Sequence, residues 1–378
     1  MAGLRIGVNA LYLIPGGVGG TEIYLRSLLR ALGDVDPENR YIVYTNRETD
    51  GSLIPDAANF AMSPQPIHAR NRPARIGWEQ SGLPRRVARD RIDVLFNPGF
   101  TCPILAPCPN VTVFHDLQHK RRPEHFRRLD LPFWRMLLYG AARRSAELIA
   151  VSEETRCDLL RYYPLREDRI TVVPHGVDER FFEIGRQRGE RLPEPFLLCV
   201  STLHPHKNLA RLVRAFEAFR AQNPRYQLVI AGLRGFYTEE LERLIAALKL
   251  EDAVRLTGWI PREDLYQLFL EATAFLYPST FEGFGMPVLE ALAAGIPAAC
   301  SKIEPLRSIA GEAALQFAPE DEGAIADAMR RLTCDEALRE ELKVKGPQRA
   351  ALFSWRTAAQ STVAVLTRAA AQRRTSSN

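Results

Sequence analysis

A chain of 378 residues, 46% of them hydrophobic, suits two domains of ordinary size, each with its own core. The formal net charge is only +5, but it is uneven: residues 70–144 hold 15 Lys/Arg against 6 Asp/Glu, a local +9 that leaves −4 for the rest. Such a zone favours an anionic partner (a phosphorylated lipid, a membrane surface, an anionic glycan), and with no recognition motif beside it nucleic acid is set aside.

Short apolar runs without alternation occur at 4–10, 41–45, 93–97, 110–114, 148–152 and 170–174. Helical periodicity lies between several of them, as at 21–32 and 132–144, and the combination predicts a parallel sheet covered on both faces. The polar stretch 183–195 reads as a linker. A second series follows, with strands expected at 196–202, 226–231, 254–257, 274–278 and 297–301 and helices at 208–222, 238–249, 262–271 and 287–294. Residues 321–373 read as mostly helical, with a break near Gly346-Pro347. Two successive doubly wound α/β domains are the economical solution. The N-terminus runs into a strand with no signal-peptide pattern, and no apolar run approaches the ~20 residues that span a bilayer. The six cysteines form no CxxC pair and read as free thiols of a reducing compartment. The expected location is cytoplasmic, with at most peripheral contact at the inner membrane face.

Ligands of such sheets bind beyond the carboxyl ends of the strands, so the loops there carry the candidate chemistry. After the first strand comes Pro15-Gly-Gly-Val-Gly-Gly20 and then a helix start, a setting for backbone amides to meet a phosphate. The strand ending at Phe114 delivers His115-Asp116, able to bind sugar hydroxyls or move protons, or simply a surface loop pair. His115 and His119 have a metal-like spacing, but that arrangement needs a helix and this segment leaves a strand. Asp34-Val-Asp36 reads as a polar connector rather than a metal site, and no metal is expected. Arg121, Arg122, Arg127 and Arg128 with Phe126, Phe133 and Trp134 form a basic-aromatic patch, either a solvated face or a membrane or acceptor surface.

In the second half, His204-Pro-His-Lys-Asn208 puts Lys207 at a helix start, where a cation is unfavourable unless an anion meets it. The chain has 6 Lys against 44 Arg, so a lysine at this place is informative. The densest signal is Pro278-Ser-Thr-Phe-Glu-Gly-Phe-Gly-Met-Pro-Val-Leu-Glu290: a loop with Glu282 and two glycines, Pro287 in the first helical turn, and Glu290 on that helix. The two carboxylates are placed to bracket a diphosphate.

Taken in this order, Gly16-Gly-Val-Gly-Gly20, His115-Asp116, Val151-Ser152, Val173-Pro-His-Gly-Val177, Pro205-His-Lys-Asn208, Gly258-Trp-Ile260, the Glu282-to-Glu290 stretch, Ala294-Gly-Ile-Pro297 and Phe353-Ser-Trp355 resemble the retaining glycosyltransferases of family 4, group 1, over essentially the whole chain. That resemblance implies the fold called GT-B, two Rossmann-like doubly wound domains facing a central cleft. It implies an acceptor-binding domain at 1–182, a donor nucleotide-sugar domain at 183–352, and a last helix at 353–378 returning to the first domain. By the same resemblance Lys207 would bind the donor diphosphate, Glu282 the sugar hydroxyls, and Glu290 the ribose. The amides of Gly283, Phe284 and Gly285 would lie beside Glu282. Trp259 and Ile260 would meet the base, with Ser201, Thr202 and His206 lining the donor. Gly19 and Gly20 would approach the phosphates, His115 would contact the donor sugar, and Gly17 and Asp116 would lie on the acceptor side. The chain departs from the pattern at His206, where the family commonly has Arg, and at Ser201, where glycine is frequent; neutral His supplies less charge to the phosphates.

The implied reaction moves a hexose, mannose first among the candidates, from GDP-mannose or a UDP-sugar to a glycan or lipid-linked acceptor hydroxyl, with retention and with no metal or cofactor. The alternatives are a sugar-nucleotide epimerase of the same fold and a non-catalytic nucleotide-sugar binding protein. A glycan phosphorylase is disfavoured by length and by the absence of a cofactor-lysine setting. A dehydrogenase is disfavoured by a first loop without the dinucleotide fingerprint.

Overall fold

The computed structural model describes residues 3–17, 19–126, 128–189 and 194–376, and the side chains of 373–376 are not part of that description. Val18 of the glycine loop, Arg127 of the basic patch and residues 190–193 of the expected linker therefore lie outside the described residues. The chain divides into two compact units. One comprises Met1–Gly176 with Ser354–Asn378, the other Val177–Phe353.

The first unit runs β1 (Arg5–Asn9), α1 (Gly20–Val35), β2 (Arg40–Thr45), β3 (Phe60–Pro64), α2 (Arg72–Arg89), β4 (Val94–Asn97), β5 (Asn110–Phe114), α3 (Gln118–Arg121), α4 (Asp130–Arg144), β6 (Glu147–Ala150), α5 (Glu153–Tyr162) and β7 (Ile170–Val172). Its seven strands are parallel, in the order β3-β2-β1-β4-β5-β6-β7. The central strands are apolar on both faces because helices cover both faces; every residue of β4, β5 and β6 is buried.

The second unit follows with α6 (Glu179–Gln187), β8 (Phe196–Val200), α7 (Leu209–Arg220), β9 (Gln227–Ala231), α8 (Thr238–Ala247), β10 (Val254–Gly258), α9 (Arg262–Glu271), β11 (Ala274–Tyr277), α10 (Met286–Ala293), β12 (Ala298–Ser301), α11 (Leu306–Ala310), β13 (Leu315–Phe317), α12 (Glu322–Cys334) and α13 (Glu336–Ala350). Its six strands are also parallel, in the order β10-β9-β8-β11-β12-β13. Strand order reverses between β1 and β4 in one unit and between β8 and β11 in the other, so each sheet has its ligand-binding switch point there. The last helix, α14 (Trp355–Ser376), packs on α1 and belongs to the first unit. Gly176 lets it approach: a Cβ there would lie 2.1 Å from the Trp355 backbone nitrogen. Arg368 and Gln372 of α14 hold the buried Glu147 carboxylate at 2.8 and 2.7 Å.

Two expectations need correction. The stretch 183–195 is not a linker throughout, because residues 183–187 belong to α6. Phe181 and Ile184 bury an apolar face of that helix, with Phe181 edge-on to Tyr266 and Phe269 of α9. The chain accordingly changes unit after Gly176 rather than after residue 182. The break near Gly346-Pro347 is also absent, since α13 runs through Pro347 to Ala350. Gly346 serves packing instead: a Cβ there would meet the Leu292 carbonyl oxygen at 2.8 Å, so the missing side chain lets α13 lie against α10.

Candidate active site

At the switch point of the second unit, β8 leads into a single 3-10 turn, Pro205–Lys207, and β11 ends at Tyr277. Asn208 follows Lys207 in the left-handed conformation (φ 58°), which Asn tolerates better than most residues. Its side-chain amide donates to the carbonyls of Pro278 (3.0 Å) and Pro319 (2.7 Å). The His206 carbonyl accepts from the Thr280 amide at 2.8 Å, and the hydroxyls of Ser279 and Thr280 lie 3.0 and 3.1 Å from it. The lysine turn and the 278–285 loop are thereby stitched into one piece.

Inside this piece the Lys207 ammonium donates to Glu282 Oε1 at 2.6 Å and to the Tyr277 hydroxyl at 3.0 Å. Both charged side chains are largely buried. Burial first, and the Glu282 charge second, push the Tyr277 phenol well above its ordinary pKa, so it stays neutral. Phe284 is buried edge-on against Phe353 and anchors the end of the loop. Gly285 caps α10 at φ +112°, a region that L side chains rarely adopt, and a Cβ there would lie 2.3 Å from Leu306 Cδ2. Pro287 occupies the first turn and brings no N–H, the Val288 amide donates back to the Gly285 carbonyl (3.1 Å), and no side chain caps the helix, so its N-terminus turns a partial positive charge toward the sheet edge.

Glu290, one turn into α10, is buried and faces Arg262, whose Nη2 lies 3.4 Å from Oε1. Burial raises the Glu290 pKa, and Arg262 opposes that rise. Burial alone would lower the pKa of Arg262, but Glu290, Tyr266 and Asp178 together raise it. Arg262 Nε donates to the Tyr266 hydroxyl (3.0 Å), which donates to Asp178 Oδ2 (2.8 Å). Trp259 stands exposed after Gly258, and Ile260 follows it. Ser201 is buried at the end of β8, where Gly232 (φ +150°) passes so close that a Cβ would lie 2.2 Å from the Ser201 carbonyl oxygen. Thr202 follows it, and the His206 ring stacks on His204 at 5.9 Å.

The second unit thus gathers Lys207, His206, Glu282, Gly283, Phe284, Gly285 and Glu290 with Ser201 and Thr202. Arg262, Tyr266, Tyr277 and Asp178 were not foreseen. Arg262 carried a readable signal, since it opens α9 as Lys207 was expected to open α7: a cation at a helix start.

Gly17, Gly19, Gly20, His115 and Asp116 belong to the first unit. Gly19 caps α1 at φ +59° with open space around it, and Gly20 begins the helix. The Gly16 amide is taken by Glu22 Oε2 at 2.8 Å, the Gly17 amide by the Ile14 carbonyl at 2.8 Å. His115 is buried, with Nε2 2.8 Å from the Pro98 carbonyl oxygen, a contact that places the proton on Nε2. Burial pushes its pKa down to about 4, against the opposing effect of that hydrogen bond, so it is neutral at pH 7. Tyr24, Phe100 and His175 surround the ring. Asp116 Oδ1 accepts from the Gln118 amide (2.8 Å), and His119 Nε2 lies 2.7 Å from the Tyr163 hydroxyl. The Asp34-Val-Asp36 triplet, expected as a connector after a helix, instead ends α1: Asp34 and Val35 are its last residues and Asp36 is its C-cap, accepting from Asn39 and Tyr41.

The two halves match two family models. Residues 18–181 match the one described as Glycosyltransferase Family 4, and residues 181–349 the one described as Glycosyl transferases group 1. The chain is 30% identical over 294 residues to the O-antigen chain mannosyltransferase B of Escherichia coli, covering 74% of this chain and 76% of that protein. It is 29% identical over 282 residues to the serotype-specific mannosyltransferase WbdA of Escherichia coli (69% of this chain), but spans only 34% of that protein's length. Among solved structures, the sucrose-phosphate synthase of Thermosynechococcus elongatus superposes with a TM-score of 0.80 at 20% identity, covering 97% of this chain and 98% of that one. The Anabaena HepE protein in complex with UDP and glucose gives 0.75 at 20% identity, covering 96% and 99%. At such identities the likeness speaks for the fold.

Proposed function

Since the chain belongs to the group 1 glycosyltransferases of family 4, with the GT-B fold, we propose that it moves a hexose from a nucleoside diphosphate sugar to a glycan or lipid-linked hydroxyl, with retention and without a metal. The observation that carries this reading is the Lys207–Glu282 pair at the β8/β11 switch point, beside the uncapped N-terminus of α10. A departing diphosphate needs positive charge. Lys207 and the helix N-terminus supply it in a setting of reduced dielectric, where it is worth more than in water. When donor arrives, the Lys207 ammonium exchanges Glu282 for a phosphate oxygen, and Glu282 turns to the sugar hydroxyls. The departing phosphate takes the acceptor proton on the same face, so no protein base is required. His115, held neutral, contacts the sugar as a hydrogen-bonding group rather than as a charge. Glu290 receives the ribose hydroxyls, and Trp259 and Ile260 meet the base.

Mannose is the first candidate sugar, because one relative of this chain is named an O-antigen chain mannosyltransferase and another a serotype-specific mannosyltransferase. The base remains a choice between guanine and uracil, since a solved neighbour carries UDP. Calorimetry with a panel of nucleotide sugars, followed by transfer assays with and without EDTA and NMR of the product anomer, tests the reading. GDP-mannose or a UDP-sugar should bind and be turned over to a product of retained configuration. If no nucleotide binds, the donor site is misplaced, and an inverted product removes the retaining mechanism.

We further propose that the basic zone meets an anionic membrane through α4. Leu129 (93% exposed), Met136 (62%), Phe133 (45%) and Tyr139 (44%) form an apolar ridge on that segment, with exposed Arg128, Arg135, Arg143 and Arg144 around it. Apolar side chains flanked by cations suit a bilayer with acidic headgroups. Among the described residues no helix is long and apolar enough to cross a membrane.

A further inference from the structure

We propose that Arg262 is a positioning residue for donor binding: it fixes the Glu290 carboxylate in the orientation that receives the ribose hydroxyls, and so sets the preference for a ribonucleotide over a deoxyribonucleotide. The inference rests on the reading of Glu290 given above.

The argument begins with where Arg262 stands. It is the first residue of α9, three positions after Trp259, and a cation at that end of a helix is unfavourable unless carboxylates meet it. Two do. Its Nη2 lies 3.4 Å from Glu290 Oε1 and 3.7 Å from Asp178 Oδ2. Its Nε donates to Tyr266, whose hydroxyl donates in turn to Asp178, and the guanidinium plane lies over the rings of Tyr266 (5.1 Å) and Phe181 (5.2 Å). The guanidinium is therefore held from α6, its leading residue Asp178, and α9, and it can act as a fixed post for the carboxylate on α10.

Glu290 uses only half of its accepting capacity there. Among the described residues Oε1 meets Arg262 and Oε2 meets no protein donor, although the side chain is buried. Oε2 is not among the buried atoms left without a partner, so it stays accessible, and a ligand hydroxyl can donate to it. Arg262 thus orients one oxygen and leaves the other for substrate. A purely structural ion pair would use both oxygens, in the forked geometry that arginine and carboxylate favour.

The test measures binding of UDP and GDP to the full chain by calorimetry, and then of the 2′-deoxy and 3′-deoxy forms of whichever binds. Wild type should prefer the ribonucleotide. E290Q should lose about tenfold in ribonucleotide affinity and most of that preference, because a charged acceptor for the hydroxyls is gone. R262Q should do the same, with the deoxynucleotide affinity unchanged, and in transfer assays it should raise KM without lowering kcat. R262K keeps a cation beside Glu290 and should fall between R262Q and wild type; it also serves if R262Q fails to fold. If E290Q loses its preference while R262Q and R262K keep theirs, the inference is overturned and the ribose reading stands. If R262Q weakens ribo- and deoxynucleotides alike, Arg262 acts on the diphosphate or on the fold and the inference is again overturned. If E290Q itself retains the preference, the ribose reading fails and takes the inference with it.

Discussion

Replacing Lys207 by Met separates the stability of the site from its chemistry. The Lys207 and Glu282 side chains are only 14% and 10% exposed, and the ammonium sits 2.6 Å from the carboxylate. Removing one partner of a buried pair leaves an uncompensated charge and costs 3–5 kcal/mol when burial is complete; residual exposure points to the low end, about 3 kcal/mol. For a unit of this size that lowers the melting temperature by roughly 6–12 °C. The double variant K207M/E282Q has no orphaned charge and should recover most of that loss in calorimetry. Its activity should not recover. Without Lys207 the departing diphosphate lacks its principal cation, and kcat for transfer, measured below both transitions, should fall by about 10²–10³ in the single and the double variant alike. A K207M protein that transfers sugar at a near-native rate would refute the assignment. So would a double variant that regains activity along with stability, because the pair would then matter only to the fold.

Three further outcomes follow from the geometry. The folded-state pKa of His115 is pushed down to about 4 by burial from an ordinary 6.5, so the unfolded chain takes up that proton first. Stability is full above pH ~6.5 and falls as pH drops towards 4, by up to about 3 kcal/mol from this residue. His119, also pushed to about 4 by burial, adds in the same direction. Urea denaturation across this range should show the slope, H115N should flatten it, and a wild-type stability independent of pH contradicts the burial argument. G285A places a Cβ at φ +112° and 2.3 Å from Leu306, which should cost about 2 kcal/mol or more and weaken nucleotide binding; unchanged melting and binding would mean that the loop relaxes freely. L129S/M136S should reduce co-sedimentation with vesicles containing acidic lipid and leave soluble-acceptor transfer intact, whereas equal sedimentation of the variant and wild type removes α4 as the contact.

Much of the candidate site was readable because its residues are local in sequence. Glu282, the glycines, Pro287 and Glu290 occupy one contiguous stretch, and each residue type has a backbone or charge reason to be there. What escaped was carried by distant partners. The Lys207–Tyr277 contact spans 70 positions and the Arg262–Glu290 pair 28, and neither separation leaves a mark on local periodicity. In the fold, α2 was obscured because the charged residues Arg75 and Glu79 lie on its buried side and Pro84 lies inside it, so the apolar rhythm of a covered helix is broken. β3 was obscured as a short edge strand with half-exposed, partly polar residues. The misread stretch after residue 182 shows the converse: of the apolar anchors of α6, Phe181 precedes the stretch and Ile184 is the single one inside it, so the polar remainder looks like a loop.

The place of α14 bears on how the molecule is made. The first unit is discontinuous, being closed by a helix synthesised after the whole of the second unit. On a ribosome adding ~5–20 residues per second, the sheet of β1–β7 waits roughly 10–35 s for the helix that covers it. During that interval Glu147 has neither Arg368 nor Gln372, and the surfaces of α1 and of β4–β6 that α14 covers are open to solvent. The nascent amino-terminal half therefore exposes apolar surface until the chain is complete, whereas the second unit is contiguous in the chain.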